Sequence, residues 1–215
     1  MTFDNGVPFI SLENAVPFSW ELFSHEMTSQ EVSDNLAMLV SVLLTEPRIT
    51  GLHIDIESFL VTYLEKGTFV DSVGQHIEKL LTVLDTSGAA AIETELRYLL
   101  GRGKGLTPSG DDHLVGLLAI HAATGVVSET FIETIKLLLQ SESLTTDIGK
   151  EYLLYAIQGK FSSSVVGLSS ALTQKPDIYM LKPLLLELLD MGHSSGIDTI
   201  FGMLLGLLAR RRKLE

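Results

Sequence analysis

Between residues 101 and 112 the chain reads Gly101-Arg-Gly-Lys-Gly-Leu-Thr-Pro-Ser-Gly-Asp-Asp112. Glycines at alternate positions let the backbone take positive φ and turn its amides outward. Successive amides turned to one side form a nest that holds an anion. A helix beginning near Ser109 adds free amides and the positive end of its dipole. A phosphate or carboxylate is therefore the expected ligand, with Gly103, Gly105, Thr107, Ser109, Gly110 and Asp111 as its contacts. No Gly-Lys-Ser/Thr follows, so this is not a nucleotide-binding Walker loop. Arg102 and Lys104 are the candidate clamps on developing negative charge, where electrostatic stabilisation dominates acyl and carbamoyl transfer.

Part of this run recurs. Ser109-Gly-Asp-Asp-His-Leu-Val-Gly116 aligns with Ser195-Gly-Ile-Asp-Thr-Ile-Phe-Gly202, an offset of 86 residues. The shared pattern is Ser-Gly-x-Asp-x-x-x-Gly, and a leucine-rich helix follows both copies. Two readings compete. In one, Ser109 and Ser195 are helix N-caps, with Asp112 and Asp198 in the first turn where the dipole favours carboxylates. In the other, the two helix starts converge. Asp112 and Asp198 then hold a divalent cation such as magnesium, which takes one or two carboxylates plus ligand oxygens, and Ser194, Ser195 and Gly196 join the same substrate site. Adjacent residues on a helix point about 100° apart, so Asp111 and Asp112 cannot serve one partner equally. One faces the ligand; the other caps, or pairs with Arg102 or Lys104. Asp112 and His193 complete the catalytic candidates, His193 as a general acid or base. His121, two turns beyond His113 on an apolar helix, reads as a satisfied core residue. No residue stands out as a nucleophile.

The elements that must position these groups are helices. Thr28-Ser-Gln-Glu31 is a capping box, and the apolar residues after it recur at helical spacing. Further amphipathic segments are expected near 54–66, 71–85, 88–101, 111–124, 128–140, 146–158, 162–173, 178–190 and 196–212, separated by glycines and Pro176. Segments 111–124 and 196–209 are apolar almost all round, so they belong at the centre of a bundle. The first 25 residues carry two echoing pieces, Val7-Pro-Phe-Ile-Ser and Val16-Pro-Phe-Ser-Trp. They read as short β segments or a hairpin. The expectation is a mainly α protein: an extended segment over 1–25, then one helical domain over 26–213 with an internal pseudo-repeat.

Composition narrows the function classes. A formal net charge of −12 on 215 residues argues against nucleic acid, which needs clustered Lys and Arg. The basic run at 210–213 instead suits a helix C-terminus. There are no cysteines, which excludes disulfides, cysteine-ligated metals and thiol nucleophiles. The N-terminus lacks the pattern of a signal peptide, and no apolar stretch reaches the roughly 20 residues a membrane span needs, so the cytoplasm is the expected place. A mean hydropathy of +0.31 favours a buried interface, a homodimer being its simplest form.

Gly105-Leu-Thr-Pro-Ser-Gly-Asp-Asp112 resembles the signature of a family that includes the AllH subunit of the oxamate carbamoyltransferase system. Gly192-His-Ser-Ser-Gly-Ile-Asp198 is similar to that family's C-terminal signature. His113 stands where the pattern leads one to expect an aromatic or apolar residue. The resemblance implies carbamoyl or acyl-phosphate chemistry on a small anionic metabolite, with companion subunits. Three readings follow: an enzyme or carbamoyltransferase-type subunit, a non-catalytic binding or assembly subunit active only with partners, and a purely structural helical protein.

Overall fold

The computed structural model describes residues 2–4, 7–9, 13, 22, 25–46, 48–85 and 88–215. Ten helices account for most of them: α1 (Ser29–Leu43), α2 (Ile56–Leu64), α3 (Ser72–Val83), α4 (Ala89–Leu99), α5 (Ser109–Thr124), α6 (Glu129–Ser141), α7 (Asp147–Ile157), α8 (Ser163–Leu172), α9 (Ile178–Leu189) and α10 (Ser195–Leu214). Each expected helical segment is present. Their starts are set by side-chain caps. Thr28 and Glu31 exchange the reciprocal bonds of a capping box, and Asp55, Asp71, Ser128, Thr146 and Asp177 each accept from amides of the following first turn. Each such cap is worth about 1 kcal/mol.

Near the N-terminus, β1 (Thr2–Asp4) and β2 (Val7–Phe9) pair antiparallel, with Thr2 opposite Phe9. The Val7 piece is thus a strand, paired with the residues just before it. The echoing piece at Val16 lies outside the described residues.

Helices α5 and α10 form the centre. Nearly every residue of α5 up to Ile120, and of α10 from Gly196 to Ala209, is buried. Helix α10 packs against α1 and α9, and α5 against α7 and α8. Two glycines let the central pair touch backbone to backbone. A methyl group on Gly116 would overlap the carbonyl oxygen of Thr199, and one on Gly202 would overlap that of His113. In the aligned frame His113 corresponds to Thr199 and Gly116 to Gly202, so the two contacts are reciprocal. Gly110 and Gly196 are likewise each seated on the last turn of the preceding helix, Gly110 against Leu99 of α4 and Gly196 against Leu188 of α9. No helix among the described residues is long and apolar enough to cross a membrane.

Candidate functional site

The two helix starts meet. Thr107 Oγ1 and Ser195 Oγ are 3.0 Å apart, and His113 Nε2 lies 3.1 Å from Asp198 Oδ1. Neither serine is an N-cap. Pro108 and Ser194 occupy the cap positions, with no side-chain cap bond, and Ser109 and Ser195 are the first helical residues. The capping reading of Ser-x-x-Asp therefore fails for both copies. One position further into the helix, the hydroxyl of Ser195 turns toward the other motif instead of back to its own amides.

Four more groups converge at this point. Asp112 and Asp198 are 5% and 0% exposed, and the Oδ2 of each has no hydrogen-bond partner among the described residues. The Ser195 and Thr107 hydroxyls stand beside the Asp112 carboxyl and favour its charged form. Burial outweighs them, reinforced by the charges of Asp198 and Asp111, and pushes its pKa up to about 7. Ser109 Oγ and Ser194 Oγ line the same space, which is closed on one side by Gly51. The Gly51 amide donates to Asp198 Oδ1 at 2.9 Å. A methyl group there would overlap Ser109 Oγ and sit 2.8 Å from Ser194 Oγ and 3.0 Å from Asp198 Oδ2. Gly51 belongs to the strap between α1 and α2. Arg48 ties that strap to the end of α9 through Leu189 O and Asp190 Oδ1, both at 2.8 Å.

Asp111 faces away from this cluster. Its Oδ1 accepts from the Gly101 amide at 2.8 Å and its Oδ2 from the Thr145 hydroxyl. Burial still raises its pKa against both bonds. It pairs with neither Arg102 nor Lys104. The Arg102 guanidinium lies 3.7 Å over the Tyr98 ring, and its Nε donates to Tyr98 O at 2.7 Å. Lys104 and His193 are exposed, with no partner among the described residues. His121 is satisfied as expected, its Nδ1 accepting from the Val127 amide at 3.0 Å.

The glycines of the loop behave as their spacing predicts. Gly101, Gly103 and Gly105 have φ of 72°, 120° and 98°, all in the region where an L side chain is strained. The amides of Gly103, Lys104, Gly105, Leu106, Thr107 and Ser109 find no acceptor among the described residues. The loop is held from outside as well: Gly101 is seated against the backbone of Leu144, and the Thr146 hydroxyl donates to Leu106 O.

A family profile, oxamate carbamoyltransferase subunit AllH, matches residues 99–207. The chain belongs to the AllH family. The matched stretch runs from the end of α4 into α10 and so takes in the glycine loop and both Ser-Gly-x-Asp helix starts. No solved structure matches the chain. As an AllH-family protein it is associated with the oxamate carbamoyltransferase system, in which AllH is one subunit.

Gly51 and Thr145 were missed by sequence reasoning. Thr50-Gly51 carries no spacing relation to either motif. Thr145-Thr146 reads only as a cap for α7, a role that Thr146 does fill. An isolated glycine in a polar connection is the one signal that pointed to Gly51.

Proposed function

We propose that this AllH-family chain binds a small anionic carbamoyl or acyl-phosphate compound at the head of α5 and serves carbamoyl transfer together with companion subunits. The observation carrying this reading is the run of amides from Gly103 to Ser109 that lack internal acceptors, shaped by three positive-φ glycines at the N-terminus of a buried helix. Such amides bind carboxylate or phosphate oxygens. Of the two loop cations, Lys104 is the one free to approach a bound anion, because Arg102 is engaged with Tyr98. Thr107 and Ser109 supply hydroxyls at the loop's far end.

The subunit reading is favoured over a self-sufficient enzyme by the placement of the polar groups. Asp112, His113 and Asp198 are buried and held by one another or by Gly51, and no activated nucleophile lies beside them. A companion chain then provides the remaining reacting groups.

Calorimetric titration of the purified full chain with inorganic phosphate, carbamoyl phosphate and oxamate tests the reading. Gly105→Ala is the informative variant, since no atom lies near a methyl group there and only the loop's conformation is disturbed. At least one of the three anions should bind wild type, and the variant should lose about tenfold, the equivalent of 1.4 kcal/mol. Silence with all three anions, or equal binding by the variant, rejects it.

A further inference from the structure

The buried cluster between the two helix starts has a charge problem that the loop does not address. Asp112 Oδ2 and Asp198 Oδ2 are both buried without a hydrogen-bond partner. A buried carboxylate oxygen left unpaired costs several kcal/mol, and two carboxylates sharing one site oppose each other's ionisation. Native structures keep such groups where something outside the chain completes them.

The surroundings say what that something is. Ser109 Oγ, Ser194 Oγ and Asp198 Oδ2 border one small space, kept open because residue 51 has no side chain. Thr107 Oγ1 and Ser195 Oγ border it on the Asp112 side. Every one of these donors is oxygen, which selects a hard cation over a soft one. The nearest nitrogen, His113 Nε2, is taken: it donates to Asp198 Oδ1 and thereby aims Oδ2 elsewhere, the arrangement by which a neighbouring imidazole orients a liganding carboxylate. A proton on Asp112 would relieve one oxygen and leave Asp198 Oδ2 unpaired.

We infer that Asp112 and Asp198, one from each Ser-Gly-x-Asp helix start, hold a single divalent hard cation of the magnesium class, whose remaining coordination is completed by water and by the anion on the glycine loop. No group of three or more His, Asp or Glu placed for a metal exists among the described residues, and that is the expected pattern. Magnesium is held by one or two carboxylates plus ligand oxygens and water, seldom by an all-protein cage. Two carboxylates balance its charge and leave positions open toward Thr107 and Ser109. The cation then removes the repulsion a buried pair of aspartates would exert on a carboxylate or phosphate at the same helix start. Cation and anion bind cooperatively, and by linkage each tightens the other by the same factor. This last consequence rests on the anion reading above; the two-aspartate site does not.

Manganese(II) substitutes for magnesium and is detected through water-proton relaxation. The full chain is titrated with manganese(II), alone and with inorganic phosphate, as wild type, Asp112→Asn, Asp198→Asn and a surface control, Asp34→Asn. One site per chain is expected, weakened at least about tenfold in both site variants and unchanged in the control; each tenfold step corresponds to 1.4 kcal/mol. Phosphate should tighten manganese in wild type only. Manganese binding that is absent, or that survives in both site variants, overturns the inference. If manganese binds as described but phosphate has no effect and no affinity, the cation site stands and the anion reading falls. If phosphate binds and manganese does not, the cation inference alone falls. Paramagnetic broadening in wild type needs no variant: amide signals at the starts of α5 and α10 should broaden, and those of α6 should not. Uniform broadening, or none, counts against the site.

Discussion

The start of α5 and the start of α10 carry the same Ser-Gly-x-Asp-x-x-x-Gly pattern and sit side by side, yet they are fed differently. Residues 100–108 lead into α5 through three positive-φ glycines and are fastened to the segment before α7 through Thr145 and Thr146. Residues 190–194 lead into α10 in a tight turn with one positive-φ glycine, Gly192, which the Arg48 strap overlies. The position matching Asp111 is Ile197, so only the first copy has a carboxylate that grips its own loop. What the copies share is their contact with each other, through the reciprocal glycines and through Ser195 and Asp198 reaching the first motif. We infer a duplication in which both copies kept the helix-crossing function, while only the first elaborated a loop able to meet a ligand.

The reciprocal glycines give the strongest way to break this comparison. Gly116→Ala and Gly202→Ala each drive a methyl group into a backbone carbonyl, of Thr199 and His113 respectively. Backbone cannot rotate aside, so the central pair must separate. Overpacking of that kind costs about 3 kcal/mol or more, a large share of a domain's stability. Chemical denaturation should show similar losses for the two variants. Gly206→Ala is the graded control, since its methyl group would meet only the Ile120 side chain, 2.7 Å from its Cβ, and it should lose less. Unequal losses at 116 and 202 would mean that the two halves do not share the contact evenly.

The next effect separates the two aspartates. Asp112 has a folded-state pKa of about 7 against an ordinary value of 3.8. The folded protein therefore binds more protons than the unfolded chain between those values. By linkage, its contribution to stability falls as pH rises from about 4 to about 7, and the penalty is complete above that. At 1.36 kcal/mol per unit the full span is about 4 kcal/mol. In metal-free buffer, wild type should be less stable at about pH 8 than at about pH 6, and Asp112→Asn should flatten that slope and exceed wild type at the higher pH. Asp198→Asn should instead destabilise, because it disturbs the acceptor of both the Gly51 amide and His113 Nε2. A wild-type slope that persists in Asp112→Asn assigns the titration to another group.

How much of this was legible beforehand divides along the same line. The helices were readable because their caps and apolar periods are local: Thr28 with Glu31, Asp55, Asp71, Ser128, Thr146 and Asp177 each act within a turn. The glycine loop was readable for the same reason, since alternate glycines have few uses other than positive φ. The convergence of Asp112 and Asp198 was legible only as an alternative, because local capping explained the same letters; the structure removes that explanation by placing Pro108 and Ser194 at the caps. Gly51, Thr145 and the stacking of Arg102 on Tyr98 were not legible. Each depends on which segments meet in space, and none repeats at an interval tied to the motifs.

The smallest expected effect sharpens the contrast between the two feeding loops. Thr145→Val keeps the shape of the side chain and deletes the hydroxyl that donates to Asp111 Oδ2. Asp111 retains the Gly101 amide on Oδ1, so the carboxylate is not stripped of partners. The loss should be about 1–2 kcal/mol, the cost of one hydrogen bond to a buried charged group. Because Asp111 also carries a pKa raised by burial, removing a donor should raise it further. The more telling readout is local. Hydrogen exchange should quicken at the amides of 101–107, which lose one of their two fastenings to the α7 side, and should stay unchanged at 190–194, which have none. Equal quickening at both loops would show that Thr145 acts on the whole α5–α10 crossing, and the first loop would lose its claim to be separately held.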